Sequence, residues 1–227
     1  MAPDPELTRS KLLDAATRLF AARGIFGVSL AEITKAAGQR NASALNYHFG
    51  SREAVLGAII ERHAPAIRDR RLELLAVAAE RPGELRPAVE ALVLPMTEFV
   101  QRGWRERAFV RIGVELATGP DRVSPGIRTA LARPGRSDVF ELIGHATATV
   151  PEAIRRERFR TVSLFIGRAT ADRALLLDTW APGDEAVLDD AAFVANLVDM
   201  AAGALGAPVS AALDALGGGP GGGSARG

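Results

Sequence analysis

The strongest constraint in this sequence is its period. Apolar residues return every three or four positions along nearly the whole chain, and strand-like alternation is absent. Leu12, Ala15, Ala16, Leu19 and Phe20 form one such stripe, stopped by Gly24, and predict a helix over 8–23. Ser29-Leu30-Ala31-Glu32 has the form of a capping box, in which the Ser side chain and the Glu side chain satisfy each other's free N–H groups. It predicts a short helix over 30–37, closed by Gly38. A second short helix is expected over 42–48, before Gly50. Ser51 is placed to cap a long helix over 52–79, with Val55, Leu56, Ile59, Ile60, His63 and Ile67 on one stripe. Further on, Pro and Gly bracket helical patterns at 84–102, 104–118, 126–133, 136–149, 152–178 and 186–206. Pro65 and Pro95 fall inside helices and are expected to kink them. The fold class is therefore all-α, and the last residues, GGGPGGGSARG, read as a flexible tail.

Several chemistries are excluded before any fold is known. The chain of 227 residues has no cysteine, so there is no disulfide scaffold, thiolate metal site or cysteine nucleophile. Its three histidines, His48, His63 and His145, stand at no metal-binding spacing, so no metal is expected. No nucleophile elbow, P-loop or dinucleotide fingerprint is present, so the standard hydrolase, NTPase and dinucleotide readings lack support and no cofactor is expected. The opening MAPDPELTRS is not a secretory signal, and no apolar run is long enough for a membrane span. A soluble, cytoplasmic protein is expected. Net charge is only +1, yet residues 1–71 carry 11 Lys and Arg against 7 Asp and Glu. A basic N-terminal end on an acidic remainder suits a polyanion partner.

That end also carries the most informative pattern. Two short helices joined by a tight turn containing Gly38 have the helix-turn-helix form, whose second helix enters the major groove. Ser43, Asn46, Tyr47 and His48 on the second helix are small or polar, and suit base edges and phosphates. Lys35, Arg40, Asn41 and Arg52 flank it with phosphate-binding groups. The competing reading is an ordinary helical corner, with Tyr47 a core aromatic whose hydroxyl reaches the rim. Phe49 is assigned to the core.

The residues here resemble the N-terminal domain of the TetR family of bacterial transcriptional regulators. The likeness rests on Leu12-Leu13-Asp14-Ala15-Ala16, Leu19-Phe20, Arg23-Gly24, Val28-Ser29-Leu30-Ala31-Glu32-Ile33 and Ala36-Ala37-Gly38. It ends in the string from Leu45 to Leu56, which includes Tyr47-His48-Phe49 and Arg52-Glu53. Two departures stand out: one residue more than usual between Gly38 and His48, and Asn46 where an aromatic is frequent. The resemblance implies a helix-turn-helix DNA-binding domain at 1–52, a ligand-binding and dimerisation domain at 53–207, and a tail at 208–227. It implies a repressor, without enzyme activity, that binds a palindromic operator in double-stranded DNA as a homodimer and is released by a small-molecule effector. Ser29 would open the first motif helix, 42–48 would read DNA, and the helix over 52–79 would act as the lever between domains.

In the C-terminal part the residues allow two readings each. Phe99, Trp104, Ile112, Glu115, His145 and Phe165 are candidates for the effector pocket, and each also reads as core or surface. Arg111 and Glu115 are expected to form a solvated ion pair on one helix face. Phe159, Val162, Ile166 and Ala169, with Val194, Leu197, Val198, Ala201 and Leu205, form two apolar stripes. These serve either internal packing or, as the resemblance implies, the dimer interface. The alternative to a repressor is a regulator acting as an activator, or a helical small-molecule-binding protein whose N-terminal domain does not read DNA.

Overall fold

The computed structural model describes residues 4–39, 41, 43–119, 124–127, 135–180 and 188–213. Among them all regular structure is helical. The N-terminal helices are α1 (Pro5–Arg23), α2 (Leu30–Ala36), α3 (Ala44–His48) and α4 (Arg52–Ala79). The rest are α5 (Leu85–Val100), α6 (Trp104–Thr118), α7 (Arg136–Ala146), α8 (Glu152–Thr179) and α9 (Asp190–Gly206). α1 starts three residues earlier than its apolar stripe predicts. Asp4 supplies a cap, its Oδ1 accepting the Glu6 N–H at 3.0 Å, and Pro5 is preset for the first turn. α4 and α5 run on through Pro65 and Pro95. Of the helix expected over 126–133, only residues 126 and 127 are described, and the tail from 214 onward lies outside the described residues.

Two apolar cores organise the chain. The first joins Leu12, Phe20, Ile33, Leu45, Val55 and Ile59 of α1 to α4 with Phe99 of α5 and Phe109, Ile112 and Leu116 of α6. It therefore runs straight across residues 52 and 53. The second joins Leu75, Val89, Leu92, Val139, Ile143, Val162, Ile166, Leu197 and Ala201, from α4, α5, α7, α8 and α9. Each fully buried Leu, Ile or Phe contributes about 1.5–3 kcal/mol.

The second core corrects the expected dimer stripes. Val162, Ile166, Leu197, Val198, Ala201 and Leu205 are buried inside one subunit, and Phe159 and Ala169 pack against them half-buried. Val194 is half-buried in the groove between α5 and α9. The reason is physical: a period of 3.6 marks the face that leaves water, and it does so alike for a subunit interior and for an interface. The large apolar residues that α8 and α9 leave exposed are Phe165, Leu175 and Met200, at 38%, 41% and 49%.

Candidate nucleic-acid interface

The capping box forms as expected. The Ser29 hydroxyl accepts the Glu32 N–H at 3.2 Å and donates to Glu32 Oε2 at 2.8 Å, and the Ser29 N–H donates to the same oxygen at 2.8 Å. Donation by the Ser29 N–H, then by its hydroxyl and by Arg23, holds the Glu32 carboxyl at about 2, down from an ordinary 4.5. Ser29 is thus exposed but committed to starting α2.

α2 ends where Gly38 takes a φ of +68°. The Gln39 N–H donates to Thr34 O and the Gly38 N–H to Lys35 O, at 3.1 and 3.0 Å. This pair of bonds is a Schellman closure, which needs a residue free to adopt the left-handed conformation. Asn41 then starts the next helix: its Oδ1 accepts the Ser43 N–H at 2.9 Å and its carbonyl accepts the Ala44 N–H at 3.0 Å. Arg40 lies outside the described residues, as does Ala42.

α3 has five residues and is too short to be stable alone. Ala44 and Leu45 sink into the first core and hold it there. Ser43, Asn46 and Tyr47 consequently face out, Tyr47 at 84% exposure, and His48 is half-buried edge-on to the Tyr47 ring at 5.1 Å. The Ser43 hydroxyl caps nothing and stays at the surface. Phe49 is half-buried against the core rather than within it, and Arg9 of α1 lies over its ring at 5.0 Å. Arg9 escapes the sequence reading, although its place one turn before Leu12 and Leu13 puts it on the same side of α1.

The charges around α3 divide into tied and free. Lys35 is exposed, and among the described residues neither it nor Arg9 pairs with a carboxylate. Arg52 differs from the expected phosphate ligand. Its Nη1 and Nη2 donate to Ile25 O and Val28 O at 2.8 and 2.7 Å, and its guanidinium lies 5.8 Å from the Phe26 ring. It ties α4 to the loop ahead of α2.

The six effector candidates do not gather around one cavity. Phe99 and Ile112 are buried in the first core, Phe99 edge-on to Phe109 and to His63. His63 is buried there too, 3.9 Å from Glu106, and burial lowers its pKa. Trp104 stacks under Arg18 at 3.5 Å and beside Arg105. Glu115 is turned to the N-terminal helices, where its Oε1 accepts the Ile25 N–H at 2.8 Å; Arg111 donates to Ala21 O, and the expected Arg111–Glu115 pair does not form. His145 and Phe165 are exposed. Backbone and core groups of the subunit thus claim residues that a pattern of apolar and charged types had marked for a ligand. The described surface does hold a groove of about 470 Å³ between α5 and α9, lined among others by Leu94, Thr97, Glu98, Gln101, Val194 and Val198. Among the described residues there is no cluster of metal-ligating side chains and no helix long and apolar enough to cross a membrane.

Residues 12–59 match the model of the family described as bacterial regulatory proteins, tetR family. No curated protein sequence matches the chain. Among solved structures, AibR in complex with isovaleryl coenzyme A and operator DNA is similar at 19% identity and a TM-score of 0.55, over 85% of this chain and 97% of that one. AmtR of Mycobacterium smegmatis is similar at 20% identity and 0.55, over 91% and 90%. SCO3833 of Streptomyces coelicolor A3 is similar at 22% identity and 0.54, over 88% and 90%. At these identities the likeness is one of fold. Residues 12–59 thus resemble the tetR family of bacterial regulatory proteins, and the described residues share their helical fold with solved structures named as TetR-family regulators.

Proposed function

We propose that this protein is a cytoplasmic transcriptional repressor of the TetR type that binds a palindromic operator as a homodimer and is released by a small molecule. The observation that carries this reading is the outer face of α3. Ser43, Asn46 and Tyr47 are presented to solvent on a helix seated on the core beneath it, within the segment that matches the family model. A buried structural corner has no use for an aromatic held almost wholly in water.

Two copies would set their α3 helices in successive major grooves, about 34–36 Å apart, or farther on deformed DNA. Ser43 and Asn46 meet base edges; Tyr47, His48, Lys35 and Arg9 meet the flanking backbone. Asn41 contributes its free amide N–H groups. The exposed side of α8 and α9, with Phe165, Leu175 and Met200, pairs with its copy. An effector favours the conformer with wrongly spaced reading helices, and shifts the population only by its preference for that conformer. The co-complex of AibR with both a coenzyme A thioester and operator DNA supports a ligand-responsive reading.

The test is selection of bound duplexes from random double-stranded DNA, followed by anisotropy titration at several salt concentrations. A palindrome is enriched, and Lys35→Ala and Arg9→Gln weaken every duplex alike, each reducing the salt slope by about 0.9. Asn46→Ala changes which bases are preferred. Sequence-blind binding that these substitutions leave untouched defeats the proposal.

A further inference from the structure

The loop between α1 and α2 is held by contacts from two other helices. Arg52 of α4 takes Ile25 O and Val28 O. From α6, Glu115 Oε1 accepts the Ile25 N–H at 2.8 Å across a separation of 90 residues, and Arg111 Nη2 donates to Ala21 O at 2.7 Å in the last turn of α1. Ile25 is fully buried, so an unpaired N–H at this position carries the penalty of a desolvated donor. Gly24 makes room for the carboxylate: with φ at +80°, a Cβ there would lie 3.3 Å from Glu115 Oε1. Arg107, Arg111 and Glu115 stand at i, i+4 and i+8 on α6 and form one row. Its first member reaches Asp178 of α8, the second the last turn of α1, and the third the loop. α1 also packs more extensively on α6 than on α4.

We propose that Glu115 and Arg111 are positioning residues through which α6, alongside α4, sets the angle at which the reading helix meets DNA. The inference rests on the DNA-binding reading above. The physical chain is short. Val28 is followed at once by Ser29, which caps α2; α2 carries α3 against it; and any sliding of α6 along its axis pulls on Ile25. The C-terminal body thereby has a second, backbone-level hold on the reading motif.

The test uses the full-length protein. Amide exchange at Ile25 is followed by NMR, and affinity by anisotropy on the duplex that the wild type selects best. Glu115→Ala is expected to speed exchange at Ile25 and to weaken DNA binding, each about tenfold, by loss of a bond to a charged acceptor. Glu115→Gln, which keeps an acceptor oxygen, restores most of both. The sign is decisive. Removing a negative charge from a DNA-binding protein by electrostatics alone strengthens binding, so weakening with an unchanged salt slope marks a positioning role. Arg111→Met applies the same test at a separate bond should Glu115→Ala not fold, with faster exchange in the loop and weaker binding expected. Wild-type exchange at Ile25, or faster exchange with wild-type affinity, overturns the proposal. If the wild type selects no duplex at all, the DNA-binding reading falls, while the exchange measurement still shows whether α6 holds the loop.

Discussion

Arg52 shows how one residue can hold a place in a motif while its structural task lies elsewhere. At the start of α4 it matches a basic position near DNA, yet two of its N–H groups are spent on carbonyls of the loop that begins the helix-turn-helix. Arg52→Ala should therefore destabilise the fold by about 2 kcal/mol, the range for charge-assisted bonds to carbonyls. Urea unfolding monitored by circular dichroism checks it; a change in DNA affinity with an unaltered midpoint contradicts the assignment. His63 was legible as a member of the apolar stripe of α4, because it continues Ile59 and Ile60. Its surroundings, Phe99 and Phe109 with Glu106, Arg105 and Asp14 facing it, were not legible, since they come from three other helices. Arg9, and the bond of Glu115 to Ile25, escaped for the same reason. Each acts on an element far along the chain, and spacing records only what is near.

At the scale of elements, the local rules gave reliable bounds. Caps and glycines placed α2 and α4 to within a residue, because Ser29, Gly38 and Ser51 act on their own backbone neighbours. The capping box also predicts a pH dependence. The Glu32 carboxyl titrates near 2 when folded and near 4.5 when free, so the folded state binds its proton less well. Its contribution is fully present above 4.5 and is lost as pH falls from there towards 2. In unfolding titrations, Glu32→Gln should be less stable than wild type at neutral pH, and the gap should close over that acid range. A gap that stays constant with pH would show the carboxylate charge to be irrelevant. Where local rules stop, so did the reading: the stripes of α8 and α9 were visible, but the face they meet was not.

For the whole molecule, the exposed side of α8 and α9 is the place to test assembly. Phe165→Glu together with Met200→Glu adds charge at positions already in water within one subunit, so the fold should tolerate it. Sedimentation should show a shift from dimer to monomer, with loss of binding to palindromic DNA and retention of helical content. A variant that remains dimeric moves the interface elsewhere.

The first core runs unbroken from α1 to Leu116, and this has a consequence for anyone who would treat the N-terminal segment as a portable reader of DNA. Cutting after residue 52 strips Leu12, Phe20 and Ile33 of the α4 and α6 side chains that share their core. A chimera that joins this motif to another regulator's body must therefore carry α4 with it. It must also rebuild on the new body the row that includes Phe109, Ile112, Glu115 and Leu116. Exchange of specificity between such proteins is then a problem of matching two surfaces, and the natural unit of inheritance is the motif with its seat.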